Sequence, residues 1–192
     1  MRDSKTVRGV VDWRLCLGCG VCAYLCPEQK IKLHDFVSEG IRPVVADEDC
    51  GSCQTCLEAC PGRGVDHRVL LHQAGLIREV RAAFGPVLEI WEGHATDPEV
   101  RHVGSSGGIL SALSLYCLER ESMHGVLHVG QHPERATANQ TRLSRSREEI
   151  LACAGSRYAP ASACDRLSQV ETAPGPCVFI GQPVEVTALK RA

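Results

Sequence analysis

Cys16-Leu17-Gly18-Cys19-Gly20-Val21-Cys22-Ala23-Tyr24-Leu25-Cys26-Pro27 is a run of four cysteines closed by a proline, and Cys50-Gly51-Ser52-Cys53-Gln54-Thr55-Cys56-Leu57-Glu58-Ala59-Cys60-Pro61 repeats its spacing. Each reads C-x2-C-x2-C-x3-C-P, the ligand run of paired 4Fe-4S clusters. Three cysteines at intervals of three let one tight loop offer three thiolates to three irons of a cubane. The fourth is carried off on the following helix and ligates the other cluster. The spacing therefore predicts one cluster on Cys16, Cys19, Cys22 and Cys60 and a second on Cys50, Cys53, Cys56 and Cys26.

The repeat extends past the ligands, for Val10-Val11 precede the first run as Val44-Val45 precede the second. Each pair is expected to be a short apolar strand entering a cluster loop, making a duplicated β-loop-helix unit. Ile31 and Leu33, alternating with Lys30 and Lys32, suit a further strand of the first unit. Gly18, Gly20 and Gly51 fall between ligands, where a chain bent round a cluster needs backbone freedom and N–H groups aimed at sulfur. Structural zinc uses two C-x2-C pairs and leaves the third cysteine of each run without a role. A disulfide framework belongs to an oxidising compartment, whereas the charged N-terminus has no apolar signal core.

The 192 residues allow one sizeable domain and a small one, and the net charge of −2 with scattered basic residues gives no nucleic-acid signature. No apolar stretch is long enough for a membrane span, so a cytoplasmic protein is expected. The fold class predicted is α+β: a ferredoxin-like two-cluster domain over 1–66, a linking helix and strand over 67–92, and part of an α/β domain over 93–192. Leu70, Leu71, Ala74, Ile77 and Val80 are spaced for a helix, and 87–91 reads as a strand. Gly104-Ser105-Ser106-Gly107-Gly108 then opens an apolar run over 109–118, whose Ile109, Ala112, Leu113, Tyr116 and Cys117 share one helical face. Such a turn is often a plain N-cap; it also presents free N–H groups, hydroxyls and a positive dipole end suited to phosphate.

Further on, 126–129 reads as a strand, 136–143 as a more polar strand nearer an edge, and Ser146-Arg147-Glu148-Glu149 as a capping box. The apolar 177–180 has the character of a strand buried in a parallel sheet, followed by Gly181-Gln182-Pro183 and a last helix. Cys117 and Cys177 read as small core residues, and Cys153 and Cys164 lack ligand spacing, so no third cluster is expected. The eight histidines form no zinc or catalytic pattern.

In this order, twin cluster runs, Gly-Ser-Ser-Gly-Gly opening a helix, Ala154-Gly155-Ser156-Arg157-Tyr158 and a strand into Gly-x-Pro, the chain resembles the coenzyme F420 hydrogenase/dehydrogenase beta subunit family. The resemblance runs over about residues 10–192. It implies an iron–sulfur flavoprotein in which Ser105, Ser106, Gly107 and Gly108 hold the FAD diphosphate and Ser156, Arg157 and Tyr158 line the same cofactor. Arg157 is otherwise an ordinary surface arginine; its planar guanidinium suits a phosphate or a reduced, anionic flavin.

The function so implied is electron input. Hydride is exchanged at FAD with a deazaflavin or another small organic partner, and single electrons pass through the clusters to a redox partner protein or downstream subunit. A flavin-free ferredoxin-like carrier with an appended α/β domain is the alternative. Two departures stand out. Pro183-Val184 replaces the family's Pro-Cys, and the resemblance implies a longer chain whose further half helps enclose flavin and substrate. FAD binding that is weak or absent is therefore expected of residues 1–192 by themselves, and tight binding only with a downstream segment or partner.

Overall fold

The computed structural model describes residues 6–46, 50, 53–66 and 68–192; Gly51 lies outside them. Helix α1 (Arg8–Asp12) stands where a strand over Val10-Val11 was expected. The reason is Val7. It and Val10 are three apart and both buried, which only a helical stripe achieves, whereas a strand would turn Val10 and Val11 to opposite faces. The first cluster loop runs into α2 (Val21–Tyr24), capped by Gly20. A hairpin of β1 (Ile31–Phe36) and β2 (Gly40–Val45) follows, with Ile31 paired to Val45 and Phe36 to Gly40. The second loop ends in α3 (Thr55–Glu58). The helices α2 and α3 occupy equivalent positions of the repeat, so the loop-helix half of the duplication is present while its leading elements differ: a helix before the first loop, a strand before the second.

Val7, Val10, Ile31, Val45 and Leu57 pack round Cys22, Cys56 and Cys60. This apolar core is built of small side chains, and thiols make up much of it.

The helix expected from Leu70 to Val80 is not formed. A 3-10 turn covers Arg68–His72, Gly75 interrupts at φ +84°, and α4 is confined to Arg81–Phe84. Leu70 and Phe84 are exposed, so no core rewards a continuous helix here. The strand expected at 87–91 is absent as well. Ile90 and Trp91 are 68% and 85% exposed, and no partner strand forms a ladder with them. An apolar run alone does not satisfy a strand's backbone groups.

Asp97 caps α5 (Pro98–Val103), accepting from the Glu99 and Val100 N–H groups, while Arg147 ties Asp97 and Glu99 (3.2 Å) to the helix that begins beside it. Helix α6 (Ile109–Glu119) is the longest, and β3 (Gly125–Gln131) follows it. Antiparallel β4 (Asn139–Ser144) and parallel β5 (Cys177–Phe179) flank β3, in the order β4-β3-β5. Between them lie α7 (Arg147–Ala152) and α8 (Ser168–Glu171), and α9 (Pro183–Arg191) closes the described chain. β4 is an edge strand as expected. β5 has the expected parallel pairing, yet it is a half-buried edge of three residues rather than a buried interior strand.

Ser146 caps α7 by accepting from the Glu149 N–H (3.3 Å), but Glu149 reaches back to the Arg145 N–H (2.6 Å) instead of the cap residue. The full reciprocal box is built at α9, between Gln182 and Glu185.

β3 organises both sides of the sheet. Val126 faces Ala95, Val100, Leu115 and Ile150, while Leu127, fully buried, faces Cys19, Val21, Ala59, Cys164, Leu167 and Ala188. The alternation of one strand thus ties the helical layer to the cysteine-bearing unit. Replacing Leu127 with alanine should cost about 2–5 kcal/mol, as buried leucine truncations do. The expected outcome is an earlier thermal transition together with faster iron loss from cluster-loaded protein. Thermal melts followed by circular dichroism and by the iron–sulfur absorbance check it; a shift in the first without the second would show that Leu127 does not couple the two parts.

Candidate functional site

Cysteines of both runs share one core, with Cys22 and Cys56 close enough to act on each other. Burial raises the Cys22 thiol far above its ordinary value, and the nearby Cys19, Cys60, Cys16 and Cys56 push it further. Burial also raises Cys60, and among the groups acting on it are Cys19 and Cys16. Cys56 is raised by burial and, beyond that, by Cys50, Cys53 and Cys26. Neutral thiols are thus the preferred form of Cys22, Cys56 and Cys60 in the absence of a cation, and iron bound there would reverse that preference. Hydrogen bonds to Cys164 and Thr55, in contrast, already lower Cys19 and Cys53. Donors reach the sulfurs as a cluster site needs: the Lys30 N–H donates to Cys26 Sγ (3.3 Å), and Thr55 Oγ1 lies 3.2 Å from Cys53 Sγ. Among the described residues no three metal-binding side chains close on a single ion. Thiolates on the corners of a cubane bind different irons and stand farther apart than ligands of one metal.

Beside the first loop opens a cavity of about 760 Å³. Ser105, Ser106, Ser156, Arg157 and Tyr158 all line it, from two segments half a hundred residues apart in the chain. Gly107 and Gly108 do not. They shape the turn from behind, both in the left-handed region at φ +67° and +73°, and a Cβ on Gly108 would stand 2.6 Å from the Val100 carbonyl oxygen. Only glycine allows the loop to lie this close to α5.

The first turn of α6 borders the cavity through Ile109 and Leu110, so the helix N-terminus faces the space. Arg157 Nε is buried without a hydrogen-bond partner, and its Nη1 makes one long contact of 3.5 Å with Gln131 Oε1. A guanidinium left this free in a polar cavity fits an anionic group. Serine hydroxyls, a helix N-terminus, an arginine whose Nε has no partner and an aromatic ring together suit a phosphate-bearing cofactor of flavin size.

The helix face named from spacing is divided: Leu113 and Tyr116 are each 53% exposed, Ala112 packs inward with Leu115 and Leu118, and Cys117 is half-buried. α6 is apolar nearly all round, and periodicity cannot choose the buried side of such a helix.

Other walls were not foreseen. Leu17 and Gly18 of the first loop, Gly40 and Arg42 of the hairpin, and Glu185 of α9 complete the cavity. So does His128, whose Nε2 lies 2.8 Å from Ser144 Oγ. Its position on β3 one residue after Leu127 was the available signal, since a polar residue on a strand's inner face needs a partner.

The segment containing Ser105 and Tyr158 corresponds to a known family. Residues 90–168 match the model described as coenzyme F420 hydrogenase/dehydrogenase, beta subunit N-term, and residues 15–63 match the 4Fe-4S dicluster domain. Together they support the coenzyme F420 hydrogenase/dehydrogenase beta subunit family. Both matches also support an iron–sulfur electron-transfer subunit, and the first takes in both cavity-lining segments. It ends before β5 and the Gly181-Gln182-Pro183 turn, so the resemblance seen there rests on sequence alone. Among the described residues no helix is long and apolar enough to cross a membrane.

Burial, followed by nearby Arg142, lowers the His128 pKa, so the ring is held neutral against Ser144. The unfolded chain then binds a proton that the folded one does not, at pH between the lowered value and the ordinary histidine value of about 6.5. Stability contributed by His128 is full above that ordinary value and falls as pH drops through the window. His128→Gln should flatten the acid limb of a melting-temperature profile; an unchanged limb would exclude the ring as its source.

Proposed function

We propose that this chain is an electron-input module. FAD bound in the cavity exchanges hydride with a deazaflavin or another organic molecule, and two 4Fe-4S clusters, on Cys16, Cys19, Cys22 and Cys60 and on Cys50, Cys53, Cys56 and Cys26, pass single electrons to a redox partner protein in the cytoplasm. The ferredoxin-like unit would comprise 1–66, the link 67–92 and the flavin-binding part 93–192.

The observation that carries this reading is the single cavity bordered by Ser105, Ser106, Ser156, Arg157, Tyr158 and the first cysteine loop. The crossed ligand assignment is supported by the neighbourhoods, since Cys60 lies near Cys16 and Cys19, and Cys26 near Cys56. When bound, flavin interconverts two-electron and one-electron chemistry. The protein's own part is to orient it. The Ser105 and Ser106 hydroxyls and the first turn of α6 would hold the diphosphate, and Arg157 would balance negative charge on a phosphate or on the reduced ring. Tyr158, 95% exposed, marks the open side, where little of the ring would be buried.

Calorimetric titration of FAD into cluster-loaded protein should therefore give weak, saturable binding, lost in Arg157→Ala and in Gly108→Val. Absence of saturable binding, or binding indifferent to both changes, would refute the flavin site and leave the flavin-free carrier.

The crossing has its own test. Cys26→Ala should abolish the electron paramagnetic resonance signal of the cluster built on Cys50, Cys53 and Cys56, and Cys60→Ala that of the cluster on the first loop. Loss of the sequence-local cluster in each variant would exclude crossed ligation.

A further inference from the structure

One short segment joins the cavity wall to the cysteine loops. After Tyr158, the Asn139 amide of β4 donates to the Ala159 carbonyl (2.7 Å), and Pro160 packs toward Gly40 of the hairpin. Thr141 Oγ1 donates to the Ser162 carbonyl (2.7 Å), fixing the segment to the sheet edge. Buried Ser162 Oγ donates in turn to the Gly18 carbonyl (2.6 Å), and the Cys164 N–H to the Cys19 carbonyl (2.9 Å). Gly20 lies so close that a Cβ there would meet Ser162 and Asp165 at 3.1 Å. Every one of these contacts with a cysteine loop is with the first loop.

Among the described residues the second run makes no hydrogen bond to this segment; its long-range bond, from Arg191 Nη1 to the Cys60 carbonyl (3.2 Å), comes from α9 instead. Leu17 and Gly18 border the cavity, and among the described residues none of the second loop or of α3 does. Gln54, Thr55 and Glu58 of that region face solvent.

We propose that the segment 158–165 makes the first cysteine loop the electron port of the cavity, and that the second loop is the outer end of the route, from which a one-electron carrier protein is served. The inference rests on the electron-input reading above. The balance is simple. A hydride taken up by the flavin of that reading would be two electrons and one proton. The flavin would release the electrons singly to iron held by the first loop, then to that of the second and to the carrier protein, and the proton would go to solvent. Ser162 is a positioning residue in this scheme, holding the Gly18 carbonyl against the cavity wall.

The test uses a probe that needs no flavin. An azidophenylalanine placed at position 158 of the full chain is coupled to a fluorescent dye, and its lifetime is measured with both clusters loaded. Clusters quench such a dye with steep distance dependence. Cys22→Ala, which removes the first loop's centre, should abolish most of the quenching, whereas Cys56→Ala should leave most of it. Equal recovery in the two, or greater recovery in Cys56→Ala, would overturn the assignment. Iron content and paramagnetic resonance establish that each variant keeps its other cluster.

Should either variant lose both, Ser162→Ala, which spares every cysteine, decides: only the first loop's cluster should shift in midpoint potential, and a shift confined to the second or shared equally would overturn the port. FAD retention is scored separately on the unlabelled protein. Failure there would sink the flavin reading, while the dye still reports which loop adjoins the cavity.

Discussion

Thiols repel one another once they are ionised and crowded, and this chain brings cysteines of two runs together in one core. The fold round them is shaped by that constraint. Cys22, Cys56 and Cys60 lie in a core otherwise composed of small residues such as Val7, Val10, Val45 and Leu57. Burial without metal holds these thiols in their neutral form. Iron bound at these sulfurs would supply positive charge that favours thiolates, and an inorganic centre there would stand in for apolar volume that the small side chains leave out. The hairpin of β1 and β2, the two short helices and the α/β sheet can all be understood as walls for that arrangement.

The sheet's contribution is coverage as well as shape. Leu127 covers the cysteine-bearing side, and Val126 anchors the helices that present Ser105 and Ser106. Two adjacent residues of one strand therefore serve both halves of the site. The long-range bonds of Ser162 and Cys164 to the first loop add direction, because they run from the cavity wall toward one loop and not the other.

Local chemistry was legible in the sequence where it repeats or caps. The ligand spacing placed α2 and α3, and the Gly-Ser turn placed the start of α6, because these depend on a few neighbouring residues. Reading failed where burial decides. Val10-Val11 formed a helix once Val7 shared its buried stripe, and the apolar spacing from Leu70 to Val80 had no surface to pack on. Residues 87–91 had strand composition without a partner strand. Within the site, Ser105, Ser106 and the segment from Ser156 to Tyr158 were found through resemblance. Leu17, Gly18, Arg42 and His128 were not, since only the packing of distant segments brings them to one cavity.

The two faces of β3 bear on how such a protein is made. The β3–β4 hairpin depends on contacts within one short stretch of chain and can form early in folding. The cysteine loops have only a small apolar core of Val7, Val10, Ile31, Val45 and Leu57 and would gain much of their stability from bound iron. Without them the Leu127 side of the sheet would keep Leu167 and Ala188 but lose Cys19, Val21 and Ala59, leaving part of an apolar strip uncovered beside the sheet edges. Cluster delivery would then also be a burial event, and a shortage of iron would show as stickiness of the new chain as well as lost electron transfer.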